Sequence, residues 1–300
     1  MDSKMQTEQI GIIGAGELGQ ALGHVLEKAG SQVLYYDRED DRTTTASIRD
    51  VVSACSLLLI CVPSWANRDV AKDIAKHINP QNPPLVISLS KGVEKGFVTI
   101  DQVLAETLPH GTPYGLIYGP MLANELVAHM MGSGVLALSD LEYGNIVRDK
   151  FATARVYLEL SSDVHGTALS GVLRNVYAMA FGMCDGLKLG SNARGRLSVM
   201  VLHEMKRILK DLDADPATAE SLAGLGDLLA AGMGDASFNY RVGRSIAERI
   251  ADGDVHSEGL STLREMPHVL KLSDYPVINL LDKLIYHYGD PHEFQQLLEI

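Results

Sequence analysis

The sequence predicts an α/β protein: an amino-terminal, doubly wound Rossmann domain followed by a mostly helical second domain. Three observations carry that reading. The apolar run Ile10-Gly11-Ile12-Ile13 empties into Gly14-Ala15-Gly16-Glu17-Leu18-Gly19 and then into a helical stretch ending near Gly30. Short apolar segments alternate with polar-apolar helical stretches through the first half, as parallel strands and crossovers do. From about Asp163 helical periodicity dominates and few runs read as strands. At 300 residues the chain is long enough for two cores. The reading divides it into a dinucleotide-binding domain at 1–160 and a helical domain for substrate and dimer contacts at 161–300.

The expected strands of the first half are Gln9 to Ile13, Gln32 to Asp37, Leu57 to Val62, Leu85 to Leu89, Tyr114 to Tyr118 and Gly134 to Leu138, with Val156 to Leu160 before the changeover. Helices are expected over Leu18 to Ala29, Trp65 to His77, Thr99 to Leu108 and Leu141 to Ala152. Only about twenty residues separate the second and third strands, and Asp40 to Thr45 reads as polar loop, so the crossover between them shrinks to a short helix at Ile48 to Ala54. The second half predicts helices over Thr167 to Cys184, Ala193 to Leu212, a piece after Pro216, Tyr240 to Ala251, Ser257 to Met266 and Pro276 to Tyr288. Packed against the ends of the first sheet, they are expected to close a cleft where ligands bind in such folds.

Composition narrows the partners. A formal net charge of −12 argues against nucleic acid and anionic membranes, which need a basic footprint. The three cysteines, Cys55, Cys61 and Cys184, lack metal spacing and lie in apolar runs, as reduced structural thiols do. The stretch Met1 to Gln9 is polar and unlike a signal peptide, so a cytoplasmic location is expected. His165, His203, His256, His268, His287 and His292 show neither HExxH nor paired spacing, and no metal is expected. Neither a GxSxG elbow nor a Walker A sequence is present, which removes hydrolase and kinase readings.

The glycine turn carries the strongest chemistry. Gly14 permits the tight turn, Gly16 lets backbone approach a phosphate, and Gly19 lets helix pack on strand, while the amides from Ala15 to Leu18 face a pyrophosphate. Asp37, eighteen residues after Gly19, stands where a carboxylate accepts the adenosine ribose hydroxyls, which favours NAD over NADP. Arg38 either pairs with a 2′-phosphate or is a solvated rim charge, so NADP stays open. Pro63 shapes the exit of the third strand, and Lys91 ends the fourth at the carboxyl edge, where it meets a substrate anion or carbonyl or is an ordinary rim lysine. Gly119-Pro120 turns the chain so that amides near Ala123 and Asn124 face the cofactor. In the second half, Arg174 and Asn175 interrupt an almost wholly apolar helix and demand partners. Ser191 or Asn192 is the expected cap of the next helix, Arg194 in its first turn points to an external anion, and Asp227 orients a base or caps a segment.

Taken together, GAGELG (14–19), CVPS (61–64), LSKGVE (89–94), GPMLANE (119–125), GVLRNVYAMAFGMCDGLKLGSNAR (171–194), AGLGDLL (223–229), FNYRVG (238–243) and VHSEGLST (255–262) resemble the NAD-dependent glycerol-3-phosphate dehydrogenase family. The resemblance implies a homodimer that reduces dihydroxyacetone phosphate with NADH. It also adds Arg194 and Glu258 to the cofactor contacts, and gives Lys91, Asn175, Asn192, Arg194 and Asn239 to the substrate. Several positions depart from the family pattern. Its catalytic lysine reads Arg174, a threonine reads Ala231, the substrate-phosphate arginine reads Phe238, and a residue of the GPxxAxE motif reads Asn124. Lys91, Arg174 and Asp227 are therefore the expected catalytic group: Lys91 transfers the proton, with Lys188 in reserve, Arg174 holds developing oxygen charge, and Asp227 orients Lys91 or a water. The expected substrate is a small anionic carbonyl or alcohol, with weak turnover of dihydroxyacetone phosphate. The alternatives are the family's own reaction unaltered, and a noncatalytic NAD(H)-binding redox sensor or scaffold with its pocket filled around Phe238.

Overall fold

The apolar runs of the first half become a seven-stranded sheet. A computed structural model describes residues 9–39, 43–45, 47–235, 237–250, 256–287 and 289–299. Most of the polar amino terminus, the first half of the Asp40 to Thr45 loop, and Ala251 and Tyr288, the expected ends of two helices, lie outside them. The chain forms two compact units, Met1–Lys91 with Ile100–Ala168, and Gly92–Thr99 with Leu169–Ile300.

The first unit opens with β1 (Gln9–Ile13), α1 (Glu17–Lys28), β2 (Gln32–Tyr36), α2 (Ile48–Ala54), β3 (Leu57–Ile60), α3 (Asn67–Ala75) and β4 (Leu85–Ser88). The hairpin β5 (Val93–Glu94) and β6 (Val98–Thr99) then belongs to the second unit. The chain continues with α4 (Ile100–Thr107), β7 (Tyr114–Tyr118), α5 (Ala123–Val127), β8 (Gly132–Leu138), α6 (Gly144–Thr153) and β9 (Val156–Ser161). The strand order is β2-β1-β3-β4-β7-β8-β9. The central strands β1, β3, β4 and β7 are buried at almost every position because both faces of the sheet are covered there, whereas the edge strand β9 alternates buried and exposed residues. Ile10, Ile12, Leu57, Leu59, Leu85 and Ile87 share a buried cluster with Leu22 and Leu26 of α1. Each such side chain contributes about 1.5–3 kcal/mol on full burial.

The uninterrupted parallel pattern is corrected at one point. β8 runs antiparallel to β7, and β9 runs parallel to β8. Between β7 and β8 the chain has only the five-residue α5, too little for a helix that returns across the sheet to start a parallel strand. The Trp65 to His77 and Leu141 to Ala152 helices also each begin as a 3₁₀ turn, at Ser64–Ala66 and Leu141–Tyr143.

The second unit contains most of α7 (Val164–Gly186), then α8 (Gly190–Asp211), α9 (Asp227–Ala231), α10 (Phe238–Ala247), α11 (Glu258–Glu265), α12 (Pro276–Tyr286) and α13 (His292–Glu299). The piece after Pro216 is a 3₁₀ turn ending at Glu220. α7 is buried around almost its whole circumference, and Phe97 of the β5–β6 hairpin joins the same core. α7 and α10 cross on glycine: a Cβ on Gly182 would run into the Tyr240 carbonyl, and one on Gly243 into the Met179 carbonyl. Glu204 of α8 is buried and accepts from Val277 N (2.7 Å) and Ile278 N (3.2 Å), so it caps α12 from a neighbouring helix, with Tyr177 Oη also donating at 2.9 Å. No helix among the described residues is long and apolar enough to cross a membrane.

Candidate active site

Because β1, β3 and β4 are parallel neighbours, their exits leave the same carboxyl edge. Gly14 N donates to Tyr36 O (2.9 Å), Cys61 N to Ile13 O (2.7 Å) and Leu89 N to Ile60 O (2.9 Å), so three loops start side by side along that edge. Gly14 has φ +97°, and its missing Cβ would lie 2.7 Å from the Cys61 carbonyl carbon. A Cβ on Gly19 would strike the Gly14 carbonyl. Gly16 differs from both, since its Cβ would meet no protein atom within 4 Å, and as the N-cap of α1 it supplies no side-chain cap. That combination fits a pyrophosphate: backbone approach is open and the first-turn amides of a 12-residue helix receive no side-chain cap.

Asp37 reaches the same turn. Its Oδ2 accepts from Ala15 N (2.6 Å) and its Oδ1 from Glu39 N (3.1 Å), which holds the carboxylate at the end of β2, while Arg38 is exposed beside it. Glu17 and Ala123, both expected cofactor contacts, line one groove between α1 and α5, of about 720 Å³, together with Gln20, His24 and Asn124. Leu18 is half-buried in the first turn of α1, and Pro63 is exposed at the exit of β3. Lys91 lies with its Nζ 5.3 Å from the centre of the Tyr118 ring. Tyr118 is a neighbour that the sequence did not single out, because nothing in a strand-end tyrosine announces a contact 27 positions away. Burial pushes the Cys55 and Cys61 thiols up to about 12, which keeps both protonated at neutral pH.

In the second unit Arg174 and Asp227 come together, Nε to Oδ2 at 3.1 Å, with Asp227 only 1% exposed. This answers the demand of a charge in an apolar helix: the guanidinium is matched by an otherwise costly buried carboxylate. Asp227, expected to orient a lysine or a water, thus holds an arginine. Asn175 and Asn239 are joined as well. Asn239 Nδ2 donates to Asn175 Oδ1 (3.1 Å), and Gly259 N donates to Asn239 Oδ1 (3.0 Å), which ties α7 and α10 to the first turn of α11 beside Glu258.

The loop before α8 departs from expectation. Neither Ser191 nor Asn192 caps the helix, which starts at Gly190 with Leu189 in the cap position. Lys188 and Gly190, at φ +57° and +82°, turn the chain into a helix that begins three residues before the expected Ala193, and Asn192 is an exposed residue of its first turn. Arg194 pairs with Asp185, which also accepts from Tyr240 Oη. Burial opposes ionisation of Asp185, but the bonds from Arg194 and Tyr240 outweigh it and hold its pKa below the ordinary range. Phe238 is 49% exposed at the start of α10, and the Arg241 guanidinium carbon stands 5.4 Å from its ring centre. Ala231 closes α9.

Comparison with known proteins fits this geometry. The NAD-dependent glycerol-3-phosphate dehydrogenase amino-terminal domain matches residues 42–143 and its carboxy-terminal domain matches residues 163–296. A glycerol-3-phosphate dehydrogenase [NAD(P)+] of Nitratidesulfovibrio vulgaris is 31% identical over 324 aligned residues, covering 97% of both chains. The chain belongs to the NAD-dependent glycerol-3-phosphate dehydrogenase family. Among solved structures, glycerol-3-phosphate dehydrogenase from Coxiella burnetii superposes with a TM-score of 0.85 at 26% identity, covering 97% of this chain and 99% of that one. The yeast Saccharomyces cerevisiae enzyme shares the fold, with a TM-score of 0.84 at 18% identity and the same coverage. The NAD-binding domain of the D-isomer specific 2-hydroxyacid dehydrogenases also matches residues 1–70. The protein is thus an oxidoreductase of the nicotinamide-dependent dehydrogenase superfamily, with an amino-terminal Rossmann unit and a helical second unit.

Proposed function

We propose that this family member reduces a small anionic carbonyl compound with NADH, with Lys91 as the proton donor and Arg174 as the group that binds substrate oxygen. The observation that carries the reading is the shared carboxyl edge. The glycine turn, the Pro63 loop and Lys91 leave three adjacent parallel strands there, beside the carboxylate of Asp37. When bound, the nicotinamide supplies the hydride that reduces the carbonyl carbon. Lys91 Nζ gives its proton to the carbonyl oxygen, which becomes the hydroxyl of the product, and recovers a proton from solvent. A guanidinium is a poor proton donor or acceptor in general acid–base chemistry, so Arg174 binds and orients rather than transfers. Asp227 fixes it through Nε. Asn175 and Asn239, already bonded to one another, supply amide groups for substrate hydroxyls. Asp37 favours NAD over NADP because its charge repels a 2′-phosphate.

The activity named for the relatives makes dihydroxyacetone phosphate the reference substrate. Phe238 offers no guanidinium fork to a phosphate, and Arg174 cannot take a lysine's place as proton donor. Slow turnover of dihydroxyacetone phosphate and faster turnover of another small anionic carbonyl are therefore expected. The test is NADH oxidation, followed by absorbance, with dihydroxyacetone phosphate and a panel of carbonyl compounds differing in their anionic group, for the wild type and for Lys91→Met. Lys91→Met should lose roughly 10²–10⁴-fold in kcat/KM on the best substrate. Unchanged kcat/KM in that variant would remove Lys91 from the chemistry. Efficient, saturable turnover of dihydroxyacetone phosphate would restore the relatives' reaction unaltered.

A further inference from the structure

Tyr118, the last residue of β7, is wholly buried, yet both of its functional ends address one short stretch of chain. Its hydroxyl donates to the Ser90 carbonyl, and the ring lies 5.3 Å from Lys91 Nζ. The β4–β7 ladder runs only as far as Ser88 opposite Leu116, so the Ser90 carbonyl lies beyond it and takes a side-chain donor. The same residue is gripped from the other side, since Ser90 Oγ donates to Val62 O at 2.5 Å. Ser90 N donates to Ser88 Oγ (3.2 Å), whose hydroxyl donates to the buried Asn67 Oδ1 (3.2 Å). The backbone from which Lys91 springs is therefore held by the exits of β3 and β7 and by the start of α3.

Each half of this arrangement has its own physical reason. A buried phenol needs a partner for its hydroxyl, and the Ser90 carbonyl provides it. A ring face attracts an ammonium within about 6 Å, which matters for a lysine because its long stem otherwise samples many rotamers. A phenylalanine at position 118 would keep the second contact and lose the first, whereas a leucine would lose both.

We propose that Tyr118 is the positioning residue of Lys91: its hydroxyl fixes the strand end through Ser90, and its ring confines the ammonium above it. The inference rests on the reading of Lys91 as proton donor, but its test separates the two. Tyr118→Phe, Tyr118→Leu, Lys91→Met and the Tyr118→Leu/Lys91→Met double variant are compared in steady state with NADH and the best carbonyl substrate. Circular dichroism and NADH titration check each fold. In parallel, trace acetylation of Lys91 by acetic anhydride, relative to the other lysines, is read by mass spectrometry and needs no turnover. Tyr118→Leu should lower kcat about tenfold with KM little changed, and should raise Lys91 acetylation about 3-fold as the ring contact is lost. Tyr118→Phe should fall between the wild type and Tyr118→Leu in kcat and keep near wild-type acetylation. On the Lys91→Met background the leucine substitution should cost less than about twofold, because the group it positions is gone. A full kcat loss that persists on that background, or Lys91 acetylation unchanged in Tyr118→Leu, overturns the proposal. Full activity of Lys91→Met would instead defeat the proton-donor reading, and the acetylation result alone would then decide whether Tyr118 holds the lysine.

Discussion

Asp37 has two tasks at the end of β2. One oxygen already holds the glycine turn through Ala15 N and the other holds Glu39 N, yet a carboxylate oxygen accepts more than one bond, so a ribose hydroxyl can share it. In the proposed reading, its charge selects against a 2′-phosphate. Isothermal titration should show NADH bound roughly tenfold or more tightly than NADPH. Asp37→Ala should lose roughly 10–100-fold in NADH affinity, the equivalent of a charge-assisted bond of about 1.5–3 kcal/mol, while NADPH loses little, so the ratio moves toward one. Equal or reversed affinities in the wild type would transfer the deciding role to Arg38. At this scale the sequence was readable wherever chemistry and spacing coincide locally. The turn from Gly14 to Gly19, the acid at 37 and the lysine at 91 are each fixed by a strand ending just before them. The mutual pairing of Arg174 and Asp227 was half legible: the demand for a partner showed in the apolar helix, but the partner lies 53 positions away. Asp185 as the partner of Arg194 left no signal, because a first-turn arginine reads the same whether its anion is internal or external.

At the scale of elements, α7 and α10 carry Arg174, Asn175 and Asn239 and meet with almost no space between backbones. Gly182 and Gly243 each face a carbonyl of the opposite helix, so the crossing tolerates no side chain at either position. Gly182→Ala should destabilise the protein by about 1–3 kcal/mol, the usual cost of overpacking, even though alanine is the better helix former. It should also loosen the Asn175–Asn239 bond that spans the crossing and raise KM for substrate. Urea unfolding and steady-state rates test both, and a neutral or stabilising alanine would mean the helices can part at no cost. Helix positions were legible because an amphipathic or apolar repeat persists over several turns. Strand direction was not, since β8 has the same apolar composition whichever way it runs, and the reversal is decided by the shortness of α5. The hairpin at 93–99 escaped because its two-residue strands are too short to show a period. The helix α13 (His292–Glu299) escaped because its run is short and strongly polar.

At the scale of the whole molecule, the α/β first half and the helical second half were legible because each has its own hydrophobic cluster and its own period. What no local pattern shows is that Gly92–Thr99 belongs with the second cluster, since that depends on burying Phe97 among helices distant in sequence. Stability should vary with pH through one residue of that cluster. Glu204 is buried between α8 and α12, and desolvation pushes its pKa from 4.5 up to about 6 despite the hydrogen bonds from Val277, Tyr177 and Ile278 that favour its charged form. The folded protein therefore binds this proton at a higher pH than the unfolded chain does. Between about pH 4.5 and 6 the native state holds more protons, so this group's contribution is fully present at low pH and is lost as pH rises through about 6. The loss amounts to about 1–2 kcal/mol. Contributions from the rest of this acidic chain, with its net charge of −12, cancel when the wild type is compared with Glu204→Gln at each pH. Glutamine cannot accept from both amides at the start of α12, so the variant is expected to be less stable throughout. The deficit itself should shrink by about 1–2 kcal/mol between pH 5 and pH 7.5, because only the wild type gives up a favourable proton on the way. Urea unfolding followed by far-ultraviolet circular dichroism, which the helices dominate, measures both curves, and parallel curves across that interval would show that Glu204 is already charged in the native state at pH 5.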